Sequence, residues 1–597
     1  MTALHPAAAS PSSPSPGPPP RQPAIARVPF PLVDEIARHC LTDDEPETVH
    51  IEVHLPGRVD HARIRTAFHQ ALVRHPRILM RQAPARWWHR HHTWQLTAAP
   101  DVEPVVFPPP GPEALARARE RALTDCPPLD SAPPVRLEVI DVVADNDGTG
   151  GTGGTGGTNA TDGMNVSDCD CDCDCDNGNG NGNGNGNGNH QPQSPPTGTV
   201  LLLTINHTAL DGPACLRVLA TAAELYGGAD NSPRPSPVRL SGPEHGPGPG
   251  VAPYPGPGAG GGHRNGEVPP PDGDTPPSGG TPPGGRFRFP SRPARIAADH
   301  HTPNRFPAED RSTNNNADNN SHNSPAPHTH THTHTHGNGN GNTETNKTGN
   351  GMLLSELPIP ARPPRDGGRS PCTVNDQLLV ATCLTLARWN RLHNSRTTPV
   401  TITMPVDDRP RGHDMPIGNG TRLLTVGFGP EEREDAEPLS ADPPDPDAVA
   451  RLLRRTAAHT RALKSAPPSH QLGLSGTLLT TPVLPVGLRG ALTRALRTAA
   501  APWTSTTLLS NIGRIPYPLD FGDAGRPTAV WFSAPARTPR GLTITTVSVG
   551  GRIQLALRWS RALLDDSAGI RLGALFRSSL AATAWPGPAA PPKGAPR

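Results

Sequence analysis

In the stretch "LLLTINHTALDGPACLRVLATAAELYGG", residues 201–228, His207 is followed four and five positions later by Asp211 and Gly212. A neutral imidazole, with a reference pKa of about 6.5, can take a proton from an attacking nucleophile or steady the charge that develops. With a carboxylate and a glycine just behind it, the stretch reads either as a strand-to-helix turn or as the base of an active site. The spacing alone is not specific: in a chain with 26 histidines, roughly 0.1 such matches arise by chance. The elements around it have to supply the specificity.

"TVLLLTI" (199–205) is continuously apolar and predicts a strand buried on both faces. Leu216, Leu219, Ala220, Ala223 and Leu225 predict a helix over about 213–226. His207 therefore closes a strand and can project from its end into a cleft. Nearer the N-terminus, "TVHIEVHLP" (48–56) alternates as a half-buried strand, with a helix after it that places Ile64, Phe68, Ala71, Leu72 and His75 on one face. "PVRLEVIDV" alternates in the same way. "TVNDQLLVATCLTLARWN" (373–390) predicts a buried helix, "VTITMPV" (400–406) a strand, and 447–464 a helix with Val449, Leu452, Leu453, Thr456, Thr460 and Leu463 on one stripe. "GLTITTVSVGGRIQLALRW" predicts a hairpin about Gly550 and Gly551.

Composition shortens the foldable chain well below its 597 residues, because 79 are proline and 62 glycine. Low-complexity composition marks a disordered tail over 1–27, an insertion over about 145–198, a Pro/Gly/Asn/His-rich connector over 229–350, and a tail over 586–597. What remains is two mixed α/β halves, 28–228 and 351–585, with the cleft between them as the expected ligand site. With 55 basic and 54 acidic side chains the chain has no field for nucleic acid. No apolar run is long enough to cross a membrane and no signal-peptide core is evident, so a cytoplasmic protein is expected. "HTHTHTHTH" (328–336) and the "CDCDCDC" cysteines lie in repeats whose spacing fixes no metal geometry, so no metal site is expected. "RWWHRHH" (86–92) reads either as channel lining or as a surface hairpin with a packed tryptophan pair, and we favour the hairpin.

The His207 segment resembles the active-site motif of the condensation-domain and CoA-dependent acyltransferase superfamily. That group includes the condensation domains of nonribosomal peptide synthetases, BAHD-like and polyketide-associated acyltransferases. Its pattern is H-H-x-x-x-D-G in condensation domains and H-x-x-x-D-G more broadly, and here Asn206 stands in place of the first His. "PLVDEIARH", "TVNDQLLVATCLTLARW", "MPVDDRPRGHDMPIGNGTRLLTV" and "LLSNIGRIPYPLDFG" are similar to other family segments in the right order. The resemblance implies two chloramphenicol-acetyltransferase-like halves around a central tunnel. It implies His207 as general base or nucleophile-positioning residue, with Asp211 orienting the motif through an arginine ion pair, Gly212 giving room in the turn, and Asn206 supporting it.

The implied reaction moves an acyl group from a CoA or carrier-protein thioester to an amine or hydroxyl acceptor. The donor is acyl-CoA or a phosphopantetheine-linked thioester, no cofactor is bound permanently, and the partners are an acyl or peptidyl carrier protein and a small-molecule acceptor. A monomer acting in secondary-metabolite or lipid metabolism is the expected setting. No protein nucleophile is needed: "GLSGT" misses G-x-S-x-G at Thr477, and Cys215 reads as a packing residue on the following helix. Gly418, Asn419, Gly420, Ser510 and Asn511 are candidate tunnel or pantetheine contacts, since small residues admit close backbone approach; ordinary turns are the competing reading. "DFG" (520–522) is similar to a structural family segment and carries no catalytic role. Asn206 also motivates the alternative, a catalytically silent scaffold that binds a carrier protein or ligand.

Overall fold

The computed structural model describes residues 26–42, 44–142, 198–233, 294–297, 348–363, 370–397, 399–407, 409, 416–429, 439, 441–465 and 483–585. Most of the low-complexity tails, the insertion and the connector lie outside the described residues, and so do both metal-ligand-like repeats.

The first part of the chain runs β1 (Arg27–Pro29), α1 (Leu32–His39), β2 (Thr48–Leu55), α2 (His61–Arg74), β3 (Met80–Gln82) and β4 (Thr93–Leu96). It continues β5 (Val105–Val106), α3 (Ala114–Thr124), β6 (Val135–Val142), β7 (Gly198–Asn206) and α4 (Gly212–Gly227). The second part runs β8 (Asn350–Pro358), α5 (Val374–Leu392), β9 (Val400–Asp407), β10 (Thr421–Phe428), α6 (Pro446–Ser465) and α7 (Val486–Ala500). It ends β11 (Thr507–Arg514), β12 (Ala529–Ser533), β13 (Leu542–Val549), β14 (Arg552–Ser560) and α8 (Asp566–Ala582).

These form a mixed α/β protein of two lobes. One sheet has the order β12-β2-β7-β6-β5, a second the order β10-β9-β11-β13-β14-β8, and β1, β4 and β3 make a small third. In the first lobe Leu201, Leu203 and Ile205 of β7 face α2 and α4, while Val200 and Leu202 face Ala114, Ala118 and Ala122 of α3. Helices on both faces are why that strand reads as an unbroken apolar run. The second lobe packs α5, α6 and α8 on its sheet through Leu379, Leu386, Leu452, Leu572 and Phe576.

Two findings go against local expectation. β2 is covered on both faces rather than half-buried: Glu52 is buried against Arg119 of α3, whose Nε donates to Oε2 at 2.8 Å. An ion pair lets an alternating strand sit inside, since each charge satisfies the other. Four residues of the connector, 294–297, also lie against the second core. Ala294 and Ile296 are buried, and the Trp389 Nε1 donates to the Ala297 carbonyl at 3.0 Å.

The chain also crosses back. β12 pairs antiparallel with β2, and Tyr517, Leu519, Phe521, Val530 and Phe532 belong to the first core. The "DFG" segment lies here; its Gly522 meets Gly227 so closely that a Cβ on Gly522 would stand 2.9 Å from the Gly227 Cα. At the seam between lobes Arg558 of β14 is buried, donating to the Thr48 carbonyl at 2.7 Å and to its Oγ1 at 2.8 Å.

Candidate active site

β7 delivers the site. Its last residue, Asn206, is buried, and its side chain is used twice: Nδ2 donates to the Pro127 carbonyl at 2.9 Å, and Oδ1 accepts from Thr208 N at 3.1 Å. The second of these is an Asx-type contact that bends the chain straight after the strand. Asn at this position thus shapes the turn. His207 follows, half-buried, with its backbone N–H on the Glu47 carbonyl at 2.8 Å.

The His207 ring has a fixed tautomer. Nδ1 lies 3.0 Å from the Leu210 carbonyl, and a carbonyl oxygen can only accept, so Nδ1 carries the proton. Nε2 is left with its lone pair in the neutral ring. It has no hydrogen-bond partner among the described residues.

Asp211 caps α4: Oδ1 accepts from Ala214 N at 3.0 Å, one of the amides that a helix N-terminus otherwise leaves unpaired. The same carboxylate accepts from Arg409 Nη2 at 3.0 and 2.9 Å, and from Gly420 N at 2.9 Å. Arg409 stands just past β9; its Nε donates to Asp407 at 2.8 Å and its Nη1 to the Gly418 carbonyl at 2.9 Å. Burial alone would lower the Arg409 pKa, but the Asp407 and Asp211 carboxylates more than offset it and raise it above the ordinary value. Gly212 leaves little room: a Cβ there would lie 3.3 Å from the Phe532 ring, on the strand that crosses back.

The 416–420 loop closes over the turn. Asn419 Nδ2 donates to the Thr208 carbonyl at 3.0 Å, the His207 carbonyl at 3.3 Å and Asp34 Oδ1 at 2.9 Å. A Cβ on Gly420 would lie 2.6 Å from Arg409 Cδ, so the arginine can cross only a residue with no side chain. Asp34 of α1 is buried and also accepts from Trp94 Nε1 at 2.8 Å. Burial pushes its carboxyl above the usual carboxylate value, against the pull of Asn419 and Trp94.

Gly418, Asn419 and Gly420 are therefore brought to the His207 turn. Ser510 and Asn511 are not: they lie on β11, where Asn511 holds a bulge through Gly513 N at 3.0 Å and Thr546 Oγ1 at 3.2 Å. Cys215 is fully buried on α4, and burial raises its thiol pKa well above the ordinary value, which leaves it a packing residue. Sequence reasoning missed Arg409, Asp34 and Trp94. The resemblance implies an arginine partner for Asp211 without naming it, and what marks Arg409 is its place two residues after a strand end, in "VDDR".

No group of three or more His, Cys, Asp or Glu among the described residues could hold a metal ion. No helix among them is long and apolar enough to cross a membrane.

No family model matches the chain. Over 215 residues it is 29% identical to uncharacterized proteins of Mycobacterium tuberculosis strains H37Rv and CDC 1551. The match covers 35% of this chain and 46% of the relative, so the chain spans about half the length of the curated relatives it matches. Solved structures similar to it include condensation domains, an epimerization domain and acyltransferases. The condensation domain of the monacolin K polyketide synthase is 11% identical, with a TM-score of 0.48 over 93% of this chain and 97% of that one. The trichothecene 15-O-acetyltransferase of Fusarium sporotrichioides is 10% identical, with a TM-score of 0.48 over 94% and 96%. The wax ester synthase/diacylglycerol acyltransferase of Marinobacter aquaeolei is 9% identical, with a TM-score of 0.43 over 93% and 98%.

Proposed function

We propose that the protein is a condensation-type acyltransferase with His207 as its base. The observation that carries this reading is the fixed tautomer: Nδ1 is committed to the Leu210 carbonyl, so Nε2 is the atom with a lone pair to offer. An amine or hydroxyl acceptor attacks a thioester carbonyl as Nε2 takes the acceptor's proton. The new C–N or C–O bond forms, the C–S bond breaks, and the imidazolium returns the proton to the leaving sulfur. No covalent acyl-protein intermediate is required. Asp211 contributes geometry, through its cap on α4 and its pair with Arg409.

The donor in this reading is acyl-CoA or a carrier-protein thioester, entering a tunnel between two chloramphenicol-acetyltransferase-like halves. Gly418, Asn419 and Gly420 would line it beside His207, and Ser510 and Asn511 would contact the pantetheine arm farther out. Incubating the protein with a panel of acyl thioesters and of amine and alcohol acceptors tests the proposal by product formation. Acylated product from wild type and none from His207→Ala supports it. No product from either protein, with a carrier protein bound by both, would replace it with the silent scaffold.

A further inference from the structure

Between β3 and β4 the chain turns outward through Arg86, Trp87, Trp88, His89, Arg90 and His91, all exposed. Trp87 is 64% exposed and Trp88 49%, their rings edge to face with centres 5.7 Å apart, and the Arg86 guanidinium lies 5.1 Å from the centre of the Trp88 ring. The turn is stapled to the start of α7. Gly487 N donates to the Trp87 carbonyl and Val486 N to the His89 carbonyl, each at 2.8 Å.

α7 turns Arg489 inward, onto Glu35 of α1 at 2.9 Å. Its outer side carries Leu488, 53% exposed, and Leu496, 41% exposed, with Ala491, Arg494, Ala495 and Ala499 between and beside them. Trp503, past its end, is 49% exposed. Exposed indoles and leucines gathered on one face mark an interaction surface rather than scattered surface residues.

Charge says what kind. No Asp or Glu occurs from residue 83 to 100 or from 465 to 519. Asp34 and Glu35, the acids of α1, are buried, and the exposed Asp44 lies past its end. Arginine and threonine are the only polar side chains of α7, so this helix offers cationic and apolar groups and no carboxylate. Indoles settle at the water–lipid boundary, arginines pair with lipid phosphates, and a helix with one apolar side lies in that plane.

We propose that this face docks the protein on an anionic lipid surface. Trp87, Trp88, Leu488 and Leu496 enter the head-group region, and Arg86, Arg90 and Arg494 meet the phosphates. α1 then stands between lipid and site, with Glu35 toward α7 and Asp34 toward the His207 turn. The docking does not depend on the acyl-transfer reading.

The test is flotation of the full chain with vesicles of phosphatidylcholine alone, or with phosphatidylglycerol added. Wild type should float only with the anionic vesicles, and less at high salt. Trp87→Ser with Trp88→Ser should abolish flotation, and each of Arg86→Gln, Arg90→Gln and Arg494→Gln should lower partitioning roughly fivefold. Arg494→Gln lies outside the turn, so it still reads out if the tryptophan variant fails to fold. No flotation, equal flotation with neutral vesicles, unchanged flotation of the variants, or a tryptophan-dependent dimer that does not float would each overturn the proposal.

Discussion

Replacing Arg409 with methionine keeps much of the side-chain volume and removes the donors that bridge Asp211 to Asp407 and the Gly418 carbonyl. Asp211 is buried, and without Arg409 it keeps two backbone donors among the described residues, Ala214 N at 3.0 Å and Gly420 N at 2.9 Å. Removing one partner of a buried pair costs about 3–5 kcal/mol, and those donors with the α4 N-terminus hold the loss near the lower figure. Asp211→Asn is milder, about 1–2 kcal/mol. Its Oδ1 still caps α4, and Arg409 keeps Asp407 and the Gly418 carbonyl. In the double variant the carboxylate that methionine would strand is absent, so the costs fall short of additive by about 1–2 kcal/mol. Urea denaturation of wild type, both single variants and the double variant measures this. Costs that add to within about 0.5 kcal/mol would refute the claim that Asp211 and Arg409 act as one unit.

Gly420→Ala forces the Arg409 side chain from its path and should cost about 2 kcal/mol in the same denaturation series. Burial holds the pKa of His50 down to about 3, and those of His75 and His92 down to about 4. In the unfolded chain these rings titrate near about 6.5. Their folded values lie below that, so the unfolded state binds more protons as pH falls. Stability is full above about pH 6.5 and declines toward pH 4, by at most about 1.4 kcal/mol per pH unit for each ring and less for the part-exposed His75 and His92. A melting temperature that stays flat from pH 7 to about pH 4 would contradict this sign. Deleting residues 294–297 removes the carbonyl partners of Trp389 Nε1 and Thr506 Oγ1 and two backbone partners of the Asn390 side chain, which keeps the Arg396 carbonyl. A loss of about 1–3 kcal/mol per stranded group should lower the melting temperature.

What the sequence made legible was what local periodicity encodes. The apolar run of β7, the stripe of α6 and the glycine pair between β13 and β14 each declare themselves within one element, and each is where the pattern put it. At the start of α5 Thr373 forms the cap, with Asp376 returning to its backbone N–H. Long-range pairing was not legible. Arg409 meets Asp211 across 198 residues, and Asn419 meets Asp34 across 385. Nothing in the spacing of either segment announces its partner, because a charge pair is set by how elements pack rather than by period. β2 shows the same limit from inside an element: its alternation was read as a wet face, and only the placement of Arg119 makes it a dry one.

The proposed role of His207 Nε2 as base is tested most directly by single-turnover acyl transfer with a donor and acceptor that wild type accepts, comparing wild type with His207→Ala. Loss of roughly 10²–10⁴ in the chemical step, with thioester affinity unchanged, is the result expected of a removed general base. Transfer at the wild-type rate in His207→Ala would contradict it.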